Sequence, residues 1–541
     1  MEFDPANATI PQLLAAAVAA RPEQPALGVV RGGQLSWRTW RELAAEAAAW
    51  AGELASRGVR RGDRVAQFGP NSAEWIVGDL AIQTLGAVHV PIHVSLAASQ
   101  AAEQTKHSEA KILIAADQKM ADGVARHIGA GTAIVLHSEM PSGENLAVEP
   151  ATPFEPPTPD DLATILYTSG TTGPPRGVML THRNLTVNAI AMVEAVATTK
   201  EETRLCLLPL SHIYARTCDL YCWLYRAARL VLPESRDTVL RDCRLARPTV
   251  INAVPYFYQR VTDGLRSGAG PQDGAALRAA FGGEITRCFC GGAALSAEVE
   301  RFFEERGLPI LCGYGLSEAA PVITATNIDT YVAGTVGRPL ANVEVRLADD
   351  GEVLARGPSI MQGYWKNDAE SREMLRDGWL HTGDLGAWTP GGNLRIVGRK
   401  KEMIVLATGK KVAPTRIEQL LVGSPLVEQC CVVGDGRKCL AALVVPRPEA
   451  LRAEIRRRRL WVWSKRRAVT HPQITALYRA EIDRCLAEAA DFEQLGAFAL
   501  LTRGFSVETG EMTPKLSLRR AVIGRNFARE IEAMYRQATR R

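Results

Sequence analysis

The sequence predicts an α/β protein with a large N-terminal domain of parallel-sheet subdomains layered with helices. A β-rich subdomain and a small α+β C-terminal domain complete it. Three observations predict this. At 541 residues the chain is longer than the ~250–300 residues at which a single hydrophobic core stops growing. Apolar strand-like runs alternate with helical periodicity, the pattern of parallel strands covered by helices. The segment 343–397 breaks that alternation with Val, Leu and Gly among many turns.

In order, residues 35–60 carry helical periodicity, with Ser36 as N-cap and Gly58 as stop. "DRVAQFG" follows as a strand, "SAEWIVGDLAIQTLG" as a helix, "AVHVPIHV" as a strand, residues 97–108 as a polar helix and "KILIAAD" as a strand. The proline-rich "EPATPFEPPTPDD", 149–161, reads as a boundary between subdomains. Beyond residue 400, "VEQCCVVGD" and "KCLAALVVP" read as strands of a compact unit with later helices.

Composition narrows the function classes. Hydrophobic content of 46% and charged content of 23% are those of a soluble globular protein. A net charge of +5 is too mild to argue for nucleic acid. The N-terminus lacks a basic segment followed by an apolar run, so no secretory signal is expected. No apolar stretch of about 18 residues suits a membrane span. The 11 cysteines are scattered and lack zinc spacing, which suits reduced thiols in the cytoplasm. His89 and His93 would share a strand face, but no partners for a metal are evident, so packed or partly exposed histidines are expected.

The stretch "ILYTSGTTGPPRGVMLTH", 165–182, sets hydroxyls and glycines between two apolar runs. Glycines let a backbone approach an anion, and hydroxyls with free N–H groups can surround phosphate oxygens. Arg176 adds a fixed charge. The spacing is not that of a Walker loop, which runs into a helix. A plain surface hairpin is the alternative.

A second stretch, "LRAEIRRRRLWVWSKRRA", 451–468, combines Arg456 to Arg459 with Trp461, Trp463 and Lys465 to Arg467. It is expected as a solvated helix face with its tryptophans packed inward. Contact with an anionic membrane surface or with nucleic acid is the alternative.

Further phrases follow the hydroxyl-rich loop: "LLPLSHIYAR" (207–216), "CGGAALS" (290–296), "GYGLSEAAPV" (313–322), "DGWLHTGDLGAW" (377–388) and "GRKKEMIVLATGKKVAPTRIE" (398–418). In this order they resemble the adenylate-forming superfamily of acyl-CoA synthetases, luciferases and peptide-synthetase adenylation domains. The last phrase and "FSVETGEMTPKLSLRR" (505–520) look most like bacterial long-chain fatty acid–CoA ligases. The resemblance implies an ATP- and Mg²⁺-dependent ligase that joins a fatty acid to coenzyme A through an acyl-adenylate, with an acyl carrier protein as alternative acceptor. No nucleic-acid partner is implied. It also implies an N-terminal adenylation domain, 1–400, and a mobile C-terminal domain, 401–541.

By resemblance, Thr168, Ser169, Gly170, Thr171, Thr172 and Gly173 hold the β- and γ-phosphates, with Arg176 in place of the usual lysine. Glu318 holds Mg²⁺, and Ser317 contacts the α-phosphate. Tyr314 and Gly315, with Gly292, Ala293 and Ala294, line the adenine. Asp384 takes the ribose hydroxyls, with Arg399 near the same sugar. His212, Tyr214 and Val322 line or gate the acyl tunnel, one wall of which would be the helix beginning at Ala215. Lys401 is the hinge, and Ala407 to Lys411 would line the thiol channel.

One position departs from the family. Where the family supplies a catalytic lysine this chain has Ser517, with Lys515 two residues earlier. Three readings stand open: Lys515 acts by a local shift, Arg519 or another cation substitutes, or adenylation is impaired.

Overall fold

The apolar runs become strands of two large sheets. The computed structural model describes residues 4–129, 131–142, 154–168, 176–196, 201–268, 273–506, 508–512 and 518–538. A seven-stranded sheet runs in the order Gly363–Tyr364, Arg176–Thr181, Leu162–Thr168, Val88–Ile92, Arg64–Phe68, Ile112–Ala115, Ala133–Leu136. The last five are parallel, and the first two add antiparallel. A nine-stranded sheet has a parallel centre of Ile310–Gly315, Arg287–Cys290, Val250–Ala253, Thr203–Leu205, Arg229–Leu232 and Pro25–Arg31. Its carboxyl ends at Cys290 and Gly315 lead into the segments that resemble nucleotide-binding motifs.

Helices Ile10–Ala20, Trp40–Ser56, Ala73–Thr84 and His182–Val196 share one hydrophobic cluster with strand residues of both sheets. Within it Trp40 stacks on Trp223 with ring centroids 4.6 Å apart, and the Trp223 indole donates to the carbonyls of Ala26 and Ala228. The first helix does not start at Ser36. Gln34–Thr39 is a strand paired with Pro25–Arg31, and the helix starts after Thr39, whose hydroxyl accepts from the Glu42 amide. The proline-rich connector does not separate two subdomains either. Its following strand, Leu162–Thr168, pairs with Val88–Ile92 in the same sheet.

A buried polar network ties that sheet to the helical stretch 213–226. Asp79 accepts from His89 at 2.6 Å and from Tyr221 at 3.1 Å, and it pairs with Arg216. Arg216 also donates to Thr164 Oγ1 at 2.8 Å. Burial alone would raise the Asp79 pKa, but Arg216 and His89 outweigh it and hold the carboxyl well below the usual range. Burial, helped by Arg216, pushes His89 down to about 4, so the imidazole is neutral. His93 is not on a face shared with His89, because the strand ends at Ile92.

Residues 344–399 form the β-rich unit, five strands that include Trp379–Trp388 paired with Leu394–Arg399. Beyond it, Val427–Val433, Leu440–Pro446 and Leu495–Leu500 form a three-stranded sheet with helices and hydrophobic clusters of its own. There the tryptophans are not packed inward. The helix Pro448–Arg457 has ended before them, Arg459 is left-handed (φ +53°), and Trp461 and Trp463 are 89% and 63% exposed. All 11 cysteines are free. Among the described residues, no helix is long and apolar enough to cross a membrane.

Candidate active site

Thr168 and Arg176 face each other as the last paired residues of a hairpin, at either side of the hydroxyl-rich loop. Ser169, Gly170, Thr171, Thr172 and Gly173 lie outside the described residues. Arg176 pairs with Glu370 and lies 5.7 Å from the centroid of the Tyr364 ring. Tyr364 reaches this place because Gly363–Tyr364 adds as an edge strand to Arg176–Thr181. Its hydroxyl donates to Glu318 Oε1 at 2.7 Å.

Glu318 sits in the short turn Ser317–Ala319 that follows the strand Ile310–Gly315. Its carbonyl accepts from the Met361 amide at 2.9 Å, which fixes the turn against the segment before Tyr364. Gly315 has a packing reason to be glycine: a Cβ there would lie 1.8 Å from the Pro321 carbonyl oxygen. Ser317 is buried beside Glu318.

Tyr314, one residue before Gly315, donates to Asp384 Oδ2 at 2.8 Å. Arg399 Nε lies 2.9 Å from Asp384 Oδ1, because Asp384 and Arg399 are register partners in the β-rich unit. Asp384 is 4% exposed. Burial raises its pKa, against the opposing charge of Arg399. A contact chain thus runs from Arg399 through Asp384 to Tyr314, the backbone carries it four residues on to Glu318, and Tyr364 continues it to Arg176. It brings together the three places that the motifs single out at 176, 318 and 384.

The acyl-side residues are distributed differently. Tyr214 packs on Gly291, where a Cβ would stand 3.2 Å from its Cζ, and its hydroxyl is buried without a hydrogen-bond partner among the described residues. Gly292 follows in a left-handed conformation (φ +79°), and Ala293 and Ala294 are exposed. His212 is half-buried at the start of the same helix. Val322 is buried, and its backbone makes two hydrogen bonds with the Asn188 side chain. In the helical stretch beyond Tyr214, Leu220, Trp223 and Leu224 belong to the core. Cys218 and Cys222 belong to the same core and pack near Met192, Phe289, Arg204 and Asn252.

Lys401 lies between two latches. Lys400 pairs with Asp350 and Glu352 of the β-rich unit at 2.6 and 2.9 Å. Glu402 pairs with Arg520, which also holds Glu418 through two bonds of 2.6 Å. Lys401 is exposed and has no ion-pair partner among the described residues. Ala407 to Lys411 connect the paired strands Ile404–Val405 and Lys411–Val412. Lys515 and Ser517 lie outside the described residues; Met512 and Leu518, on either side, pair with each other.

Comparison with known proteins settles the family. Residues 14–365 match the AMP-binding enzyme family, and residues 401–539 match the AMP-binding enzyme C-terminal domain. The chain belongs to the AMP-binding enzyme family. It is an acyl-CoA synthetase, an acid–thiol ligase of the AMP-forming kind. The long-chain-fatty-acid–CoA ligase FadD15 of Mycobacterium bovis is 33% identical, with 92% of each chain covered. A feruloyl-CoA synthase of Amycolatopsis sp. is also 33% identical, over 77% of this chain and 84% of its own. The fold is that of the O-succinylbenzoate coenzyme A synthetase MenE of Bacillus subtilis, solved with ATP and a magnesium ion. That match has a TM-score of 0.74 and 24% identity, covering 94% of this chain and 98% of MenE.

Tyr364 and Glu370 stand in the candidate site without being marked by the motifs. No local signal distinguishes them. Edge-strand pairing beside Arg176 shows Tyr364, and the ion pair with Arg176 shows Glu370.

Proposed function

We propose that this ligase activates long-chain fatty acids with ATP and Mg²⁺ and transfers them to coenzyme A. The observation that carries the reading is the contact chain from Asp384 to Arg176. Through Tyr314 and Tyr364 it links a carboxylate suited to ribose hydroxyls, a carboxylate suited to a divalent ion and a fixed cation. The long-chain preference is supported by the likeness to FadD15 over nearly the whole chain.

In this reading the acid's carboxylate oxygen attacks the α-phosphorus of ATP and pyrophosphate leaves. The thiol of coenzyme A, losing its proton, then attacks the acyl carbon and AMP leaves. The first step brings two anions together, so charge neutralisation and placement dominate it. Thr168, Ser169, Gly170, Thr171, Thr172, Gly173 and Arg176 hold the β- and γ-phosphates. Ser317 contacts the α-phosphate, and Lys515 carries positive charge to the forming adenylate. Tyr314, Gly315, Gly292, Ala293 and Ala294 line the base, and Asp384 with Arg399 holds the sugar. His212, Tyr214 and Val322 border the acyl group.

The residues fit a magnesium ion that is shared with the nucleotide. Glu318 uses Oε1 toward Tyr364, which leaves Oε2 as a hard oxygen donor. Among the described residues no group of three or more His, Cys, Asp or Glu could form a cage. Mg²⁺ ordinarily takes one or two carboxylates plus substrate phosphates, and when bound it would neutralise phosphate charge. For the second step we place the division between 1–400 and 401–541. The C-terminal domain would turn about Lys401 and bring Ala407 to Lys411 to the thiol.

The test is a panel of straight-chain acids from octanoic to octadecanoic, with feruloyl and succinylbenzoyl acids included. ATP, Mg²⁺ and either coenzyme A or a phosphopantetheinylated carrier protein complete the assay. Release of AMP with acyl-CoA, best for the long acids, is expected. No AMP with any acid overturns the reading, and a preference for the carrier protein replaces its last step.

A further inference from the structure

The strand pairing and the core leave Trp461 and Trp463 unused, and they are the two most exposed of the large apolar side chains among the described residues. They lie on residues 460–464, between the helices Pro448–Arg457 and Lys465–Thr470. Leu460 and Val462 are half-buried, and Leu460 packs on the C-terminal hydrophobic cluster. Residues two apart in extended chain point the same way, so anchoring Leu460 and Val462 inward turns both indoles outward. The rings touch edge to face, with centroids 5.6 Å apart.

Charge surrounds the pair from both helices. Arg456, Arg457 and Arg459 are exposed on one side, and Lys465, Arg466 and Arg467 on the other. Glu454 engages Arg457 and Arg458. Among the described residues Arg456, Arg459, Lys465 and Arg466 have no ion-pair partner. Two indoles in a ring of free cations match one surface well. Tryptophan settles at the level of lipid headgroups, and clustered Lys and Arg are drawn to anionic lipid.

We propose that this loop docks the enzyme on an anionic membrane surface, with Trp461 and Trp463 entering the headgroup layer. Nucleic acid fits less well. The Arg467 guanidinium covers a face of Trp463 at 4.2 Å from its centroid, and the edge-to-face pair offers no open platform for stacked bases. An acidic protein partner fits less well too, since two side chains are a small apolar centre for an interface that ordinarily buries about 1,200–2,000 Å² in total. The proposal is independent of which acid the enzyme activates.

The experiment is flotation of the full chain with vesicles of phosphatidylcholine alone and of three parts phosphatidylcholine to one part phosphatidylglycerol. Binding to the anionic vesicles is expected, with quenching of tryptophan fluorescence by lipids brominated near the headgroup. Half-molar salt should weaken it. The variant Trp461→Ala/Trp463→Ala should lose at least about tenfold in partitioning, and Arg456→Gln or Lys465→Gln about fivefold each. Both should retain thermal stability and ATP-dependent activity on a water-soluble acid. Equal binding to the two vesicle types, no binding, or wild-type binding by the double tryptophan variant overturns the proposal. So does tighter binding of the loop to a single-stranded oligonucleotide or an acidic carrier protein than to anionic vesicles.

Discussion

The Tyr364 hydroxyl donates to Glu318 Oε1 at 2.7 Å while its ring lies beside the Arg176 guanidinium. One side chain thereby connects the residue suited to a metal with the cation beside the hydroxyl-rich loop. It holds one carboxylate oxygen of Glu318, and among the described residues the other has no hydrogen-bond partner.

Tyr364→Phe removes that bond and keeps the ring. A hydrogen bond to a charged group contributes about 1.5–3 kcal/mol, so the rate of pyrophosphate release should fall by about tenfold or more. The Mg²⁺ concentration for half-maximal rate should rise, and thermal stability should change little. An unchanged Mg²⁺ dependence would show that Tyr364 does not position Glu318.

In the proposed site, Asp384 and Arg399 should make the nucleotide interaction sensitive to pH. There the ionised carboxylate would hold the ribose hydroxyls, and burial raises the Asp384 pKa against the opposing charge of Arg399. Affinity for ATP should therefore weaken as pH falls toward that pKa. Arg399→Met removes the opposing charge, so the acidic limb of kcat/KM for ATP should move to higher pH. A limb that stays in place would mean another group sets it.

Much of this architecture is legible in the sequence, where local chemistry marks it. The stretch "SAEWIVGDLAIQTLG" reads as a helix from its own residues, and Ala73–Thr84 is one. The error at Ser36 has a physical origin. Residues 34–39 pair with Pro25–Arg31 across the two-residue turn Gly32-Gly33, and that hairpin overrides the helical periodicity that begins only after it. The proline-rich connector misleads because parallel strands need long crossovers, and one crossover resembles a domain boundary. Tyr364 is invisible because it stands 46 residues from Glu318 and meets it only through edge pairing. The tryptophans are misplaced when a helical face is assumed across Arg459, which is left-handed.

The latches around Lys401 make a prediction about the two half-reactions. Lys400 is tied to the β-rich unit and Glu402 to Arg520, so the proposed turn of the C-terminal domain would concentrate its backbone rotation at residue 401. Lys401→Pro fixes φ there. Adenylation and thioester formation should then be slowed unequally, measured as pyrophosphate exchange against acyl-CoA release. Equal slowing would argue against a turn at this residue.

Lys515 can be separated from its neighbours. Arg520 is committed to Glu418 and Glu402, which removes one competing cation. Lys515→Ala should lower pyrophosphate release while thioester formation from a supplied acyl-adenylate continues. An unchanged rate of pyrophosphate release would dismiss Lys515.

The buried Asp79 network should make the fold sensitive to acid. His89 is pushed down to about 4 from an ordinary value near 6.5. Between these values the unfolded chain binds a proton that the folded chain refuses, so stability falls as pH drops through this window. Asp79 acts in the same direction lower down. Its depressed pKa stabilises the fold above the ordinary carboxylate value and stops doing so as pH falls further. His89→Gln keeps a donor for Asp79 and does not titrate. Its unfolding free energy, from denaturant titrations, should therefore fall less than that of the wild type between pH near 6.5 and near 4, by about 1.4 kcal/mol per pH unit of the window. Asp79→Asn should cost about 3–5 kcal/mol at neutral pH, because it leaves Arg216 buried without its charge partner. If His89→Gln keeps the full acid sensitivity, the refused proton belongs to another group, and the candidate is His182, which burial also pushes down to about 4.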